Sequence, residues 1–525
     1  MKNFLLFVII STVIVSCNSR TGHLTGTLGR KAYHPDIPLG MAYVPAGSYQ
    51  MGENDGDVPF LHQARPKTAS VQAFYMDQTE ISNNEYRQFV YWVRDSIARE
   101  KIYLNENDRT SGIKNDDWTD DDAKAWINYQ DMYFDEVDAE YVEYDPAERF
   151  ENREIFSLNW DKKIYYDDPD LVPLLADMYY PEGERYYNRK EINTNKLIYN
   201  YYWIDLAEAS QRGRIDITLN NSSNLQDLNT DGHRVLNTPK DMFTQEPQGQ
   251  DEDMGYINKK GQNNAIRGHS SRKRFIIDEQ INVYPDTLCW IRDFTYAFNE
   301  PMTNMYFWHP AYDNYPVVGV TWMQAKAFSV WRTQLLNNWL VSGGDLFVNN
   351  FRLPTETEWE RAARGNLESS QYPWGGPYIR NEAGCFLGNF KPMRGRYFED
   401  GGMQTVKVYS YNPNNWGLYC MAGNVAEWCE TAYDESMYEF SHDLNTDYQY
   451  DAKDWDPPSM KRKVIRGGSW KDIGYYLRNS TRTYEYQDTA KSYIGYRNVM
   501  THLGRGGKDF TKEGGEEIRS DIQLR

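Results

Sequence analysis

The chain has 525 residues, enough for one large core with insertions or for about two to three domains. Its 57 Lys and Arg stand against 76 Asp and Glu, a formal charge of −19 that excludes nucleic acid as a partner, because phosphates need a basic footprint. With 42 Tyr and 15% aromatics the chain is polar yet owns broad contact surfaces, unlike an aromatic-poor disordered chain.

The N-terminus, MKNFLLFVIISTVIVSCNSR, has one early Lys2 and an apolar run from Phe4 to Val15. That run is too short to span a bilayer as a mature helix and reads as an export signal, residues 1–16. It ends in Ile14-Val15-Ser16-Cys17, which resembles a bacterial lipobox, so Cys17 is expected to be acylated. Two or three acyl chains anchor stably where one does not. The following Asn18-Ser19-Arg20-Thr21 lacks an acidic surface-export cluster, which places the expected site on the periplasmic side of the outer membrane. Residues 17–38 form the lipidated Cys and a polar linker.

The segment LGMAYVPAGSYQMG (39–52) alternates apolar and small residues like a short strand pair and opens a domain that runs to about residue 502. VQAFYMDQTE (71–80) reads as a strand leading into a helix, where Ser82 and Glu85 form a capping-box pattern. Tyr86, Phe89, Val90 and Val93 recur on one face of that helix, which predicts packing on a core. From about 94 to 308 the texture turns acidic, Tyr-rich and aperiodic, as in a long insertion. Asp120-Asp121-Asp122 lacks the Gly and terminal Glu of an EF-hand loop. The strings DMYYPEGERYYN (177–188) and YNYYWIDL (199–206) suit broad contact surfaces.

Regular pattern resumes at YPVVGVTWMQAKAFSVW (315–331), a buried strand and then Thr321 and Gln324 as a second capping box. Its helix carries Ala325, Phe328, Trp331 and Leu335 toward a core. In RLPTETEWERAARG (352–365), Thr355 and Glu358 form a third box and Gly365 suits the stop. Beyond Trp374 the chain is rich in Gly, Asn and Trp, so its order must come from turns, aromatic packing or bound ions. The tail, residues 503–525, is polar.

Besides Cys17 there are Cys289, Cys385, Cys420 and Cys429. In an oxidising compartment they could form disulfides, with three full pairings open. No CxxC pair, HxH or HExxH spacing is present, so neither zinc nor a His-based site is indicated. His269 stands beside Ser270, but sequence neighbours rarely point into one triad and no third partner suggests itself.

The series MAYVPAGSYQMG, FYMDQTEISNNEYRQF, YPVVGVTWMQAKAFSVW, FRLPTETEWERAARG, YPWG, NNWGLYCMAGNVAEWCE, VIRGGSW and IGYRNV resembles, in order, the formylglycine-generating enzyme or sulfatase-modifying factor family, over about 39–93 and 309–500. The resemblance implies an α/β (α+β) fold of irregular type related to C-type lectins, carrying a long insertion. With the lipobox and DFTYAFNEPMTNMYFWHPAYDNYPVVGV (293–320), the chain is further similar to the PorK/GldK lipoprotein family of gliding motility and type IX secretion. That family implies a homo-oligomeric ring on the periplasmic face of the outer membrane, built with a PorN/GldN-like partner. The sister GldJ family shares the domain.

Enzymes of the wider family bind copper(I) through a cysteine pair shortly after a Gly-Gly-Ser turn, a task for soft thiolates. Here the turn is Gly467-Gly468-Ser469, and Asp472 to Leu477 follow without a thiol. No copper and no catalytic residue are therefore expected. Arg478 and Arg482 are read as tying loops, and Gly467 and Gly468 as permitting close backbone packing. The family's two calcium sites map onto Asn389 and Asp400 with the Phe390 and Gly402 carbonyls, and onto Glu427 with the Gly423 and Val425 carbonyls. The second is weakened because Cys420 stands where the family has Asp or Asn. The alternative is that Asn389, Asn424 and Glu427 only hydrogen-bond loops.

Three functions follow: a non-enzymatic scaffold, a glycan or peptidoglycan binder using exposed aromatics, or a copper oxygenase built on Cys420 and Cys429, the only close thiol pair. The scaffold accounts for the lipobox, the thiol-free turn and the Tyr-rich insertion together.

Overall fold

Each of three helices starts at a capping box that the sequence places there. Ser82 N donates to Glu85 Oε2 at 2.7 Å before α1 (Asn83–Asn107). Thr321 N donates to Gln324 Oε1 at 2.9 Å before α2 (Trp322–Gly343). Thr355 and Glu358 close the reciprocal pair before α3 (Glu356–Arg364), which stops at Gly365 with φ 61°. These bonds satisfy amide groups that a helix start otherwise leaves orphaned.

The structure, a computed structural model, describes residues 37–53, 65–107, 127–128, 132–135, 140–143, 157–204, 256–257, 263–264, 276–293, 302, 305–343, 346–393, 402–453 and 455–503. The export signal, Cys17, Asp120 to Asp122, Arg267 to Ser270, Asp400 and the tail from 504 lie outside the described residues.

Two four-stranded sheets frame the domain. The first runs β1 (Met41–Val44), β4 (Phe74–Asp77), β12 (Val499–Thr501) and β7 (Phe351–Arg352), all antiparallel neighbours, so the beginning and the end of the domain pair with each other. The second runs β10 (Thr483–Tyr486), β9 (Arg462–Arg466), β8 (Ala426–Ala432) and β11 (Ile494–Gly495), with β8 and β11 parallel. Between β1 and β4 lies the hairpin of β2 (Gly47–Met51) and β3 (Lys67–Val71).

The largest core lies between α1 and α2. Tyr86, Phe89, Val90 and Val93 all turn inward and meet Ala325, Phe328 and Trp331, as the 3.6-residue spacing predicts. Leu335 departs from that reading and is exposed, because α2 outruns the core at its C-terminal end. The Tyr-rich stretch also departs from it. Strand β5 (Ile198–Ile204) pairs with β6 (Ile276–Asn282) and buries Tyr199 and Tyr201 in the same core, while Tyr202 faces solvent. Helix α1 likewise continues past Arg94, and Ala98 and Ile102 pack on Leu171, Leu174 and Met178. Parts of the stretch read as an insertion are thus built into the domain core.

Candidate functional site

Strand β9 ends in Arg466 and delivers the Gly467-Gly468-Ser469 turn. Both glycines hold positive φ, 90° and 65°, a region that L residues rarely adopt. A Cβ on Gly468 would lie 2.8 Å from the Tyr476 carbonyl oxygen, so the turn closes against the loop that follows it. Three loops knit here through the backbone: Gly423 N donates to Gly467 O at 2.9 Å, Asn424 N to Asn389 O at 2.8 Å, and Trp470 N to Asn424 O at 2.9 Å.

Beneath the turn lies a buried ion network. Arg466 donates to Glu360 and to the Thr481 carbonyl. Arg364 reaches Glu360 at 2.7 Å, and Arg482 grips Glu356 through Nε at 2.6 Å and Nη2 at 3.0 Å. Burial raises the Glu360 carboxyl, but Arg364 and Arg466 outweigh it and hold the group below the ordinary range. Arg482 and Arg478, the latter paired with Glu53, tie loops together as the sequence suggests. The network fixes the turn rather than presenting charge to a ligand.

After the turn, Asp472 points back. Its Oδ2 accepts from Ser469 Oγ at 2.6 Å and from Ser469 N at 3.0 Å. Burial nevertheless pushes its carboxyl above the usual range, with the Ser469 bonds opposing the rise. Leu477 is fully buried among Tyr372, Phe390 and Ala422, with Ile379 and Phe386 against them. Hydrocarbon therefore fills the ground beside the turn. Residues 472–477 offer one carboxylate, already spent on Ser469, and no soft ligand.

The four thiols after Cys17 lie outside residues 472–477. Cys289, Cys420 and Cys429 are buried, Cys385 is exposed, and all four are free. The disulfides open to the sequence reading do not form. Cys420 donates to the Val408 carbonyl at 3.4 Å, and Cys429 lies in the core with Trp359 and Val464. Burial pushes both thiols up, which disfavours the thiolate that copper(I) needs. Among the described residues no three or more His, Cys, Asp or Glu side chains converge as a metal site.

The candidate calcium residues are placed as follows. Asn389 donates through Nδ2 to the Gln404 carbonyl at 2.7 Å, and Phe390 and Gly402 flank it in the same loop system, while their proposed companion Asp400 lies outside the described residues. Gly423 and Val425 lie on the run into β8, and Glu427 is the second residue of that strand. Glu427 accepts from Arg497 on both carboxylate oxygens and from Trp359 Nε1 at 2.7 Å. A guanidinium already neutralises that carboxylate, and a thiol at Cys420 completes the set, so this second group does not suit a hard dication. Asn424 is spent as well, accepting from Val406 N at 2.9 Å and donating to Glu80 Oε2 at 2.9 Å. The sequence reading missed Glu80. It is fully buried beside Asn424, and burial followed by the Glu427 charge raises its carboxyl well above the ordinary range.

The family model "Sulfatase-modifying factor enzyme 1-like domain" matches residues 37–132 and 273–502. The inactive C-alpha-formylglycine-generating enzyme 2 of Bos taurus is 33% identical over 35% of this chain and 49% of its own length. The formylglycine-generating enzyme of Thermomonospora curvata is 32% identical over 35% and 55%, and the serine/threonine-protein kinase pkn1 of Chlamydia pneumoniae 33% identical over 36% and 24%. The chain thus spans about half the length of the first two and a quarter of the third. Among solved structures, PvdO from Pseudomonas aeruginosa aligns with 88% of this chain and 94% of its own at 13% identity and a TM-score of 0.36. The similar proteins include both inactive and active formylglycine-type proteins.

Proposed function

This chain belongs to the sulfatase-modifying factor enzyme 1-like family, and from that premise we propose that it is a non-enzymatic scaffold, an acylated outer-membrane subunit of the type IX secretion and gliding machinery. The observation that carries this reading is the stretch after the Gly-Gly-Ser turn, where Asp472 is bound to Ser469 and Leu477 is packed in hydrocarbon. A related protein named inactive supports loss of catalysis within such a domain. The lipobox at Cys17 and the likeness to the PorK/GldK family support the location and the machine.

In this reading the chain forms a periplasmic ring with copies of itself and a PorN/GldN-like partner. A ring needs heterologous contacts, in which two different faces of one subunit meet. The exposed Tyr187, Tyr202 and Trp160, all within 94–308, are the anchors assigned to such a face. Calcium, held by Asn389, Asp400 and the Phe390 and Gly402 carbonyls, would cross-link the loops beside the turn.

The same exposed aromatics support a second reading, a lectin-like module for glycan or peptidoglycan. Purified acyl-free chain, alone and co-expressed with a PorN/GldN-like protein, separates the two by mass photometry and negative-stain imaging. Rings or a stoichiometric complex are expected. A persistent monomer that ignores the partner but is retained on peptidoglycan would replace the scaffold with the second reading.

A further inference from the structure

The C-terminal end of α2 is uncharged and carries exposed apolar side chains. In a chain that is 25% charged, residues 333–344 contain no Asp, Glu, Lys or Arg. They read Thr-Gln-Leu-Leu-Asn-Asn-Trp-Leu-Val-Ser-Gly-Gly, and the last turn of the helix lacks the basic residue that commonly faces a helix C-terminus. Large apolar side chains stand out from this end: Trp339 is 69% exposed, and Leu346 and Phe347 in the following loop 67% and 70%. Leu335, one turn before Trp339, is exposed on the same side. The Asn337 carboxamide accepts from Val348 N at 3.0 Å, which folds that loop back beside the helix end.

The chain enters the domain at the same corner. Arg332 on α2 grips Asp77 with 2.8 and 2.9 Å bonds, and Asp77 pairs in register with Met41, the first residue of β1. Leu336 and Val348 pack on the cluster that holds Met41. Just before it, Leu39 is 95% exposed. Leu39, two residues before Met41, and Trp339, Leu346 and Phe347, close in sequence to Leu336 and Val348, thus adjoin the one cluster.

We propose that this corner lies on a phospholipid bilayer surface, with Trp339, Leu346, Phe347 and Leu39 inserted at headgroup level. The inference rests on the lipid-anchored reading above, and it adds which face of the domain meets the membrane. Trp339 and Phe347 match the interfacial zone, where aromatic rings are favoured, and Asp345, the one ionic side chain of residues 333–347, limits insertion to headgroup depth. With a net charge of −19, attraction to anionic lipid is not the driver. A linker of about 20 residues reaches at most about 70 Å, so the acylated end can enter the leaflet on which this corner rests. Contact by the corner supplies orientation, which a lipidated tether alone leaves free.

The test uses the mature chain without acyl groups, wild type and the double variant W339S/F347S, floated with vesicles of phosphatidylethanolamine and phosphatidylcholine. Both substitutions are on the surface, and an unchanged thermal midpoint checks the fold. The double variant is expected to lose at least about tenfold in partition, as removal of two inserted rings implies. Partition of the wild type is expected to be unaltered by salt from about 50 to about 500 mM, since screening acts on charge. For the acylated chain, amide exchange across 335–347 is expected to slow on vesicles. Equal partition of the two proteins overturns the inference, as does a lipid-free dimer of the wild type that the double variant abolishes, because the corner is then a contact between copies. Mass spectrometry of Cys17 in native membranes separates the two readings. An unmodified Cys17 with a variant-sensitive partition removes the anchor and keeps the surface. An acylated Cys17 with equal partition removes the surface alone.

Discussion

Arg497 lays its guanidinium along the carboxylate of Glu427, with Nη2 at 2.5 Å from Oε1 and Nε at 2.7 Å from Oε2, and both side chains are buried. The same guanidinium donates to the carbonyls of Asp77 and Tyr419, so one residue joins β4, β8 and the loop before β8. Breaking a buried pair on one side leaves a charge without compensation and costs about 3–5 kcal/mol. Arg497→Met and Glu427→Gln should each lower the urea midpoint strongly, and the double variant should lose clearly less than the two losses added. Additive losses would mean that the two groups do not act as a pair.

Asp472 sets a pH dependence. Burial raises its folded-state pKa above the unfolded value near 3.8, with the Ser469 bonds acting in the opposite direction. The folded chain then holds its proton to higher pH than the unfolded chain, so this group costs nothing below the unfolded pKa, and stability falls as pH rises toward the folded pKa. In Asp472→Asn the side-chain oxygen can still accept from Ser469. Its thermal midpoint relative to wild type should therefore rise as pH climbs from the unfolded value near 3.8 and level off above the folded one. A difference that is flat over that range would show that burial at Asp472 carries no such cost.

How much of this was legible depended on sequence separation. Ser82 with Glu85, Thr321 with Gln324 and Thr355 with Glu358 are three residues apart and are legible in the sequence, because a capping box is local. The glycine turn was legible for the same reason. Glu80 with Asn424, and Glu427 with Arg497, join distant segments that only the folded chain brings together. No periodicity marks such partners. Tyr199 and Tyr201 did leave a signal, the period-2 alternation of a strand, but it was hidden among other tyrosines. Leu335 kept the helical spacing of a core residue although the core ends before it, since periodicity reports a face and not how far a neighbour extends.

The thiols give a compact test of the thiol-free turn. Cys289, Cys420 and Cys429 are buried with raised pKa, and Cys385 is exposed. The folded acyl-free chain carrying Cys17→Ser should therefore show one fast thiol toward a disulfide reagent, with the other three appearing only on unfolding, and a reductant should not move the thermal midpoint. Anaerobic loading with copper(I) should leave no stoichiometric copper after desalting, measured by elemental analysis. One tightly held copper per chain, lost in Cys420→Ser or Cys429→Ser, would restore the oxygenase reading.

Calcium gives the sharpest distinction between the two groups of candidate ligands. At the first, Asn389 is buried, and the family likeness adds Asp400 and the Phe390 and Gly402 carbonyls, all hard oxygen donors. At the second, Arg497 already supplies the positive charge at Glu427. A ligand held at 100 times its Kd adds about 2.7 kcal/mol to the folded state, so calcium should raise the thermal midpoint of the wild type and a chelator should lower it. Asn389→Ala should abolish that response. Glu427→Gln should be less stable throughout and yet retain the full calcium shift. A shift lost in Glu427→Gln and kept in Asn389→Ala would move the ion to the second group, and Arg497 would then have to leave its partner to admit it.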